Sequence, residues 1–498
     1  MTLAALLVGS TLMAQETPEL VDSSPLNPKD LTELGNRIYF NGESSDGEKW
    51  LYSTTGEEAV RHSGIVQPGQ IGDDPSEMIA YNGQLILNGQ KKFSGSPFGY
   101  FAYELLSFDH SETYQVLDSP GLIKQIGQVE GSDPRGFTEL NGDLYFSADD
   151  GINGEELWVT DGTENGTQLL KDINTGSDDS DLFEFYEYNG NLIFNAVDGN
   201  NGIELWITDG TSNNTEMVKN ISPGSVSSVP VGFTEFDGKV YFTASSDEGR
   251  EPWVTDGTEG GTHILKDIYP GGGGTPNNSF AEDFTVYDGN LYFRADGGTN
   301  GKELWVSDGT ENGTELFKDI NPGSSNSLPS NFKEYNGKLY FSAKNGSGHG
   351  LWVTDGTDAG TVMIQSTSSI PRNLFTYDDR LYFVADDGSN GRQLWVSDGT
   401  VSGTEIVSPD VAPNVDPLPE FYEFEQGIVD GTLFYTADYD GNGLRLYKLT
   451  TDHLSVEELT KDELTVYPNP VEDILHLESN AYQISEVVLF STTGQRLK

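Results

Sequence analysis

The sequence predicts an all-β protein in which one unit of four short strands is repeated along most of the chain. The first observation is a tryptophan that recurs every 43 to 52 residues. These tryptophans are Trp158, Trp206, Trp253, Trp305, Trp352 and Trp395. The second is an Asn-Gly or Asp-Gly pair between the first two predicted strands, which suits a two-residue hairpin turn. The third is that apolar residues are consecutive in the second and third strands, which indicates a sheet covered on both faces.

The clearest copy of the unit is residues 136–176, and it divides into four strands. The first strand ends at the turn Asn141-Gly142, and the same turn recurs as Asn189-Gly190, Asp237-Gly238, Asp288-Gly289 and Asn336-Gly337. The other three strands contain Leu144-Tyr145-Phe146, Leu157-Trp158-Val159 and Leu169–Ile173. Blades stacked face to face around an axis bury both sides of each sheet, as this pattern requires.

Three weaker copies flank the six clear ones, at residues 36–69, 80–117 and 421–460. Four antiparallel strands per unit, repeated about nine times, predict a β-propeller of eight to nine blades over residues 31–460. An open solenoid is the competing architecture, but it needs polar end caps, which the sequence does not show. The sequence therefore favours a closed ring.

Composition excludes several classes of function. The chain of 498 residues has 27 Lys+Arg against 80 Asp+Glu, a formal net charge of −53, and no cysteine. The absence of cysteine excludes disulfides, thiolate metal sites and a cysteine nucleophile. The negative charge argues against binding to nucleic-acid phosphates or to anionic lipid, because both require clustered Lys and Arg. We therefore expect neither nucleic acid nor a membrane as a partner.

The N-terminal segment predicts an export signal. Residues 1–14 are almost wholly apolar or small, and a polar stretch rich in Glu, Pro and Asp follows them. This segment is too short to span a bilayer and resembles the apolar region of a signal peptide, although no Lys or Arg precedes it. A buried strand is the alternative interpretation. We expect a linker over residues 15–30 and no membrane span elsewhere.

The strongest resemblance to a known family lies in the third strand and the turn after it. Residues 156–163 read ELWVTDGT, which resembles the signature of the ELWxxDGT repeat family. Close copies lie at residues 204–211, 303–310, 351–357 and 393–400, and the copy at 251–258 has Pro252 in place of leucine. The resemblance covers most of the chain. It implies an exported protein of Bacteroidetes or their relatives but implies little about activity.

A second resemblance lies at the C-terminus. Residues 464–471 read LTVYPNPV, and with the apolar segments that follow they are similar to the type A sorting domain of the type IX secretion system. In that family the domain is a small β-sandwich that directs passage across the outer membrane. The 35 residues 464–498 are too few to close such a core, so we expect a truncated, partial sandwich. The resemblance implies the type IX secretion machinery as a partner. It also implies a secreted or cell-surface location in a Gram-negative bacterium.

The repeated aspartates of the D-G-T turns are more readily explained by structure than by catalysis. An Asp before a Gly accepts backbone N–H bonds across its own turn, while the glycine takes positive φ. The six aspartates are Asp161, Asp209, Asp256, Asp308, Asp355 and Asp398. They occupy equivalent positions on separate blades, whereas hydrolytic chemistry needs two carboxylates that converge on one bond. We therefore predict no catalytic residues among them.

One loop between a second and a third strand resembles a calcium loop. Asp438, Asp440 and Asn442 place side-chain oxygens at positions 1, 3 and 5, with Gly443 at position 6. Position 12 is Leu449, where a helix–loop–helix calcium site has a bidentate glutamate. A plain hairpin connection is the alternative. If a Ca²⁺ site exists, the sequence predicts it at these three residues.

The leading functional hypothesis is an exported, non-enzymatic binding or scaffold protein that takes a glycan or protein ligand at the propeller rim. Two alternatives remain open. One is a secreted enzyme acting on polysaccharide, with carboxylates gathered at the mouth of the central channel. The other is a calcium-stabilised adhesin. The sequence does not distinguish the ligand or the oligomeric state.

Overall fold

Nine four-stranded antiparallel sheets make up most of the chain in the computed structural model. This confirms the predicted β-propeller and places its blade number at the upper end of the predicted range. The structure describes residues 18–45, 47–62, 76–92, 101–109, 121–124, 131–271, 277–389, 391–407, 411–412, 415–418, 424–450, 464–467 and 476–479. The segment 1–14, predicted to be a signal peptide, lies outside the described residues.

Strand β1 (Glu19–Leu20) belongs to the last blade, and the first three complete blades follow it. Blade 1 consists of β2 (Leu26–Leu34), β3 (Arg37–Glu43), β4 (Lys49–Thr54) and β5 (Val60–His62). Blade 2 consists of β6 (Ser76–Tyr81), β7 (Gln84–Lys92), β8 (Phe101–Asp109) and β9 (Gly121–Lys124). Blade 3 consists of β10 (Arg135–Leu140), β11 (Asp143–Asp149), β12 (Glu155–Thr160) and β13 (Gln168–Lys171).

The middle blades repeat the same order of strands. Blade 4 consists of β14 (Phe183–Tyr188), β15 (Asn191–Ala196), β16 (Glu204–Thr208) and β17 (Glu216–Lys219), with a 3-10 turn at Ser212–Asn214. Blade 5 consists of β18 (Val231–Phe236), β19 (Lys239–Ser246), β20 (Gly249–Thr255) and β21 (His263–Ile264). Blade 6 consists of β22 (Glu282–Tyr287), β23 (Asn290–Asp296), β24 (Lys302–Ser307) and β25 (Glu315–Lys318).

The last three blades bring the chain back to its start. Blade 7 consists of β26 (Ser330–Tyr335), β27 (Lys338–Asn345), β28 (Gly348–Thr354) and β29 (Val362–Thr367). Blade 8 consists of β30 (Arg372–Tyr377), β31 (Arg380–Asp386), β32 (Arg392–Ser397) and β33 (Thr404–Ile406). Blade 9 consists of β34 (Gln426–Val429), β35 (Thr432–Ala437), β36 (Arg445–Thr450) and, as its outer strand, β1.

The ring is closed by the N-terminal strand. Glu19 and Leu20 of β1 pair with Lys448 and Tyr447 of β36, and Lys448 Nζ lies 3.4 Å from the Glu19 carboxylate. The inner strand of blade 1 contacts the inner strands of both blade 2 and blade 9. The structure therefore differs from the linker predicted over residues 15–30, because β1 and the first residues of β2 lie there. Pairing of this strand completes blade 9 and leaves one fewer open sheet edge.

The propeller forms a compact unit of residues Glu19–Lys448. Residues 1–18 and 449–498 form a second unit, in which β37 (Leu464–Tyr467) pairs antiparallel with β38 (His476–Ser479). These two strands lie in the segment predicted to be a partial sandwich, and the rest of residues 464–498 lies outside the described residues. Among the described residues, no helix is long and apolar enough to cross a membrane.

Neighbouring blades pack through the apolar faces of their sheets. In one cluster, Ile193 and Leu205 of blade 4 pack with Phe242 and Trp253 of blade 5. All six recurring tryptophans are buried, with 6 to 9% of each side chain exposed. This explains the consecutive apolar residues in the second and third strands, because successive side chains face the two neighbouring blades in turn.

Blade 1 has the same register between its second and third strands as blade 3, but a different residue at the position of the recurring tryptophan. Trp158 of blade 3 lies opposite Phe146, whereas in blade 1 the residue opposite Phe40 is Tyr52. Trp50 lies two residues earlier, opposite Gly42. Its indole is covered by the guanidinium of a neighbouring arginine, Arg61, 4.7 Å from the ring centroid. The first weak copy of the repeat therefore has tyrosine at the recurring tryptophan position.

The glutamate of the E-L-W sequence is buried and holds the connection to the next blade. Glu156 is fully buried, and its carboxylate accepts hydrogen bonds from the backbone N–H groups of Ile173 and Asn174, at 2.6 and 3.1 Å. Glu303 accepts bonds from the N–H groups of Ile320 and Ser327, at 2.7 and 3.0 Å. Glu204 and Glu251 have equivalent partners. Buried backbone donors in an irregular connection need such an acceptor.

Burial shifts the acidity of these glutamates. Loss of solvation raises the pKa of Glu156 to about 7, against the opposing effect of its hydrogen-bond donors. Burial also raises the pKa values of Glu204, Glu251 and Glu303. In blade 8 the same position is Gln393, a neutral residue of the same shape, also buried. The position therefore does not require a negative charge, and it is Gly350 in blade 7 and Trp50 in blade 1.

We expect Glu156→Ala to lower the free energy of unfolding by roughly 2–5 kcal/mol, because two buried N–H groups lose their acceptor. Urea denaturation followed by tryptophan fluorescence measures this change. Glu156→Gln is the matched control, since it keeps the volume and one acceptor oxygen. A loss of under about 0.5 kcal/mol in the alanine variant would contradict the assigned role.

The same residues predict how stability depends on pH. The folded pKa of Glu156 exceeds the unfolded value near 4.5, so the folded state holds a proton that the unfolded state releases. The contribution of Glu156 to the free energy of unfolding therefore falls as pH rises from about 4.5 to about 7. Glu156→Gln should make this fall smaller. An equal pH dependence in both proteins would contradict the prediction.

Candidate ligand-binding channel

The inner strands of the blades line a central channel, and most of them are interrupted by a β-bulge. In β22, for example, the pairing shifts between Glu282 and Thr285, and Asp283 has φ of +60°. A bulge bends the strand and turns a side chain away from its regular direction. A residue with positive φ occurs in the inner strand of eight blades, namely Asp30, Glu77, Gly136, Glu184, Gly232, Asp283, Asn331 and Asn373.

Some of these bulge residues connect neighbouring blades around the channel. The backbone N–H of Gly136 donates to the Glu77 carboxylate at 3.3 Å. The N–H of Asn373 donates to the Asn331 side-chain oxygen, also at 3.3 Å. In these pairs the side chain from one blade meets the backbone of the next. The channel wall is therefore formed by side chains and backbone that differ from blade to blade.

A cavity of about 1200 Å³ lies where the inner strands of blades 6 to 9 begin. Its wall includes three arginines, Arg294, Arg372 and Arg392, and two acidic residues, Asp283 and Glu425. Its other polar residues are Thr285, Ser330, Asn331, Asn373 and Thr436. Its apolar residues are Phe284, Leu328, Phe332, Ile370, Val384, Leu418, Phe424 and Leu444. We call this space the arginine cavity.

Two of the three arginines are oriented by acidic neighbours. Arg294 donates from Nε and Nη2 to Glu282, at 2.9 and 2.5 Å, and its Nη1 lies 2.8 Å from the Asp283 carboxylate. Arg392 Nη1 donates to Asp416 at 3.1 Å. Burial raises the pKa of Asp283, and the nearby Glu282 adds to this, whereas Arg294 lowers it. The guanidinium groups are thus held in fixed directions at the cavity wall.

A second cavity, of about 740 Å³, lies at the inner strands of blades 1 to 4. Among the described residues, its wall includes Asp30, Glu77 and Glu184 together with one arginine, Arg135. Glu425 lines both cavities. We call this space the acidic cavity. The two sides of the channel therefore present different charge, although the blades share one repeated sequence.

The calcium loop predicted from the sequence is a hydrogen-bonded turn between β35 and β36. The Asp438 carboxylate accepts bonds from the N–H groups of Gly441 and Gly443, at 2.7 and 3.1 Å. The Asp440 carboxylate accepts a bond from the N–H of Asn442 at 2.9 Å. The three predicted side chains thus lie in one loop, as expected, and both carboxylates have backbone partners there. These contacts fit the plain hairpin connection, and calcium binding by this loop stays the untested alternative.

The D-G-T loops are also closed by their own hydrogen bonds. In blade 5 the Asp256 carboxylate accepts bonds from the N–H and the hydroxyl of Thr258, at 3.0 and 2.6 Å. Thr255 and Thr262 share a hydrogen bond of 2.7 Å between their buried hydroxyls. The Thr258 hydrogen bonds lower the pKa of Asp256. These loops connect the third and fourth strands, whereas the arginine cavity lies at the opposite ends of the strands.

The three arginines are the site residues that sequence reasoning missed. For Arg294 the signal is a departure from the repeat, because Arg294 takes the position that Ser147 has in blade 3. Arg372 takes a position that is also arginine, Arg135, in blade 3 but is Phe183 in blade 4. In a chain of net charge −53, basic residues at such positions are informative. The sequence alone, however, does not show which blades are brought to the same cavity.

No protein-family model matches the sequence, and no curated protein matches it. Among solved structures, the chain is similar to a puromycin hydrolase S511A mutant complexed with PGG, at 13% identity and a TM-score of 0.36. The match covers 84% of this chain and 59% of that one. Oligopeptidase B from Leishmania major matches at 10% identity and a TM-score of 0.39, over 86% of this chain and 54% of that one.

A third similar structure is the β-propeller domain of the Trilobed protease from Pyrococcus furiosus, described as having an open velcro topology. It matches at 7% identity and a TM-score of 0.33, over 78% of this chain and 97% of that one. At these identities the likeness concerns the propeller fold alone. This chain spans less than two thirds of the puromycin hydrolase and of oligopeptidase B, so their activities are not carried over to it.

We expect Gly261→Ala to destabilise the protein by about 1–3 kcal/mol. A Cβ atom at this position lies only 1.9 Å from Asp256 Oδ1, so the D-G-T loop must shift. Gly260→Ala is the matched control, because its Cβ meets nothing within 4 Å. Thermal melting of the two variants measures the difference. Equal melting temperatures of the two variants would show that the closed D-G-T loop does not contribute to the stability of the folded protein.

We expect EDTA to leave the melting temperature unchanged, because backbone N–H groups already bond to the carboxylates of Asp438 and Asp440. The measurement compares thermal melting in EDTA with melting in added CaCl₂. Asp438→Asn is the matched variant. A lower melting temperature in EDTA that disappears in Asp438→Asn would instead establish the calcium site.

Proposed function

We propose that this chain is an exported, non-enzymatic binding or scaffold protein that takes a glycan or protein ligand at one end of its propeller channel. The observation that carries this proposal is the arginine cavity, whose wall is built from residues that vary between blades. Its volume of about 1200 Å³ is at or above the upper end of the range for ligand pockets, about 300–1000 Å³. A mixture of apolar walls and few charged groups is typical of such sites.

The repeated polar residues support this proposal because they have structural partners. Glu156 and its equivalents hold the connections between blades, and Asp256 and its equivalents close the D-G-T loops. A repeated lysine joins neighbouring blades, as where Lys266 Nζ donates to the Thr314 carbonyl at 2.6 Å. Specific recognition is therefore assigned to residues outside these repeated motifs, and such residues line the channel.

Export is supported by the two ends of the chain. Residues 1–14 form an apolar run of signal-peptide type. Residues 464–498 are similar to a type A sorting domain, and the repeats resemble those of the ELWxxDGT family. We propose delivery through the type IX secretion machinery to the cell surface or the medium of a Gram-negative bacterium. The net charge of −53 favours a soluble, self-repelling protein in that setting.

A polysaccharide-acting enzyme is the second candidate, and one observation favours it. Asp283 and Glu425 line the same cavity, and burial raises the pKa of Asp283. A carboxyl group with a raised pKa in a cleft is a candidate general acid. Release of reducing sugar from a bound polysaccharide, abolished in Asp283→Asn, would favour this candidate over binding alone.

We expect the protein to reach the medium or the cell surface of the bacterium that encodes it. The measurement is immunoblotting of cell fractions from the parent strain and from a strain without the type IX outer-membrane translocon. The translocon mutant should retain the protein in the periplasm. Equal surface or medium levels in both strains would contradict delivery by this route.

We further expect the purified full chain to bind at least one ligand class on a glycan array or a peptide array. Arg372→Gln should weaken that binding, because Arg372 lines the arginine cavity. The control is Arg380→Gln, which removes the same charge from β31, away from the cavity wall. Binding that both variants retain in full would place the ligand elsewhere on the propeller.

A further inference from the structure

We propose that the arginine cavity binds an uncharged, hydroxyl-rich ligand, namely a neutral saccharide. This inference rests on the proposed binding function and deepens it, because it names the chemical class of the ligand. Three features of the cavity support it: the balance of its charges, its uncharged polar groups beside aromatic faces, and the irregular strand edges that line it.

The charges at the arginine cavity largely cancel within the protein. Guanidinium groups in its wall stand beside four described carboxylates, and the residues are Arg294, Arg372, Arg392, Asp283, Glu425, Glu282 and Asp416. Arg294 and Arg392 both form salt bridges with members of this set. An anionic ligand would meet the carboxylates and the net charge of −53 on the whole chain, and a cationic ligand would meet the guanidinium groups. Because like charges brought together are costly, this balance favours an uncharged ligand.

Uncharged polar side chains line the same space. They are Thr285, Ser330, Asn331, Asn373 and Thr436. Hydroxyl and amide groups both donate and accept hydrogen bonds, so they match the hydroxyl groups of a sugar, which do the same. By contrast, the described wall of the acidic cavity offers two threonines, Thr32 and Thr138, and no amide side chain. The arginine cavity is therefore the side of the channel that suits a hydroxyl-rich ligand.

Two phenylalanines add flat apolar surfaces to the cavity wall. Phe332 and Phe424 line it and are half-buried. Each packs against a second ring, with centroids 5.5 Å apart for Phe332 and Phe341 and 6.0 Å apart for Phe424 and Phe375. The C–H faces of sugar rings can pack against such aromatic rings in the same way as other apolar groups do. Aromatic faces beside hydroxyl and amide groups fit a saccharide better than a wholly apolar ligand.

The strand edges disfavour an extended peptide as the ligand. A peptide that adds to a sheet needs a regular row of unpaired N–H and C=O groups along an edge strand. The inner strands at this cavity have shifted registers, which lie between Glu282 and Thr285, between Ser330 and Lys333, and between Arg372 and Phe375. The interrupted edges therefore favour recognition by side chains.

The bulges of the inner strands supply a matched pair of substitutions. Asn373 is the second residue of β30, has φ of +52° and is exposed in the wall of the arginine cavity. Glu184 is the second residue of β14, has φ of +57° and lines the acidic cavity. In blades 3 and 5 the same position is a glycine with positive φ, Gly136 and Gly232. Glycine therefore suits the fold here, and Asn373→Gly and Glu184→Gly each remove a side chain from one cavity.

The experiment is isothermal titration of the full chain with hexasaccharides of glucose, mannose, galactose and xylose, and with the charged hexamers of galacturonate and of glucosamine. We expect at least one neutral hexasaccharide to bind, and both charged hexamers to bind at least about tenfold more weakly. The dissociation constant of the neutral ligand should change less than about twofold when NaCl is raised from about 0.05 to about 0.5 M, because no net charge is neutralised. Asn373→Gly should weaken binding about three- to tenfold, as loss of a hydrogen bond implies, and Glu184→Gly should leave it within about twofold.

Any of four results would overturn the proposal: no binding of a neutral hexasaccharide, equal or tighter binding of a charged hexamer, a dissociation constant that follows the salt concentration, or equal effects of the two glycine variants. Failure of every neutral hexasaccharide, together with peptide-array binding that Arg372→Gln weakens, would overturn this inference and leave the proposed binding function in place. If Asn373→Gly does not fold, as judged by circular dichroism, Thr285→Val replaces it. Thr285 lines the same cavity, and valine keeps its shape but removes the hydroxyl, so weaker binding is again expected and unchanged binding would count against the proposal.

Discussion

Face-to-face packing of neighbouring sheets is the interaction on which the rest of this structure depends. Each blade buries apolar side chains on both faces, as with Phe242 and Trp253 of blade 5 against Ile193 and Leu205 of blade 4. Each large side chain buried in this way contributes about 1.5–3 kcal/mol. A blade alone would leave these faces in water. A closed ring covers both faces of every sheet, and β1 completes it by pairing with β36.

The repeated polar residues follow from the same packing. Stacked sheets leave irregular connections between blades whose backbone donors are buried, and Glu156 and its equivalents accept their hydrogen bonds. Burial of these glutamates raises their pKa values, which links folding stability to pH. The motif that makes the family resemblance recognisable thus serves the connections of the ring. A strongly repeated sequence is compatible with one specific binding site, because the repeat and the site use different residues.

The channel is where the nine blades cease to be equivalent. Arginines on blades 6 and 8 face one cavity, and Asp30, Glu77 and Glu184 of blades 1, 2 and 4 face the other. A ring of identical blades would give a uniform channel. Different polar and charged residues in the inner strands make the two sides of the channel unlike in shape and charge. The apolar contacts between blades are kept, so this variation costs little stability. The proposed binding of a ligand at one end of the channel depends on this asymmetry.

The sequence by itself determined the local structure: the four strands of each unit, the Asn-Gly and Asp-Gly turns, the buried tryptophans and the structural role of the D-G-T aspartates. These features depend on residues close together in the chain, so periodicity and turn chemistry reveal them. Only the tertiary structure decided how the ring closes and which residues meet at the channel. Leu20 pairs with Tyr447, and Asp283 shares a cavity with Glu425. Residues so far apart in the chain become neighbours through the position of each blade in the ring, which no local pattern records.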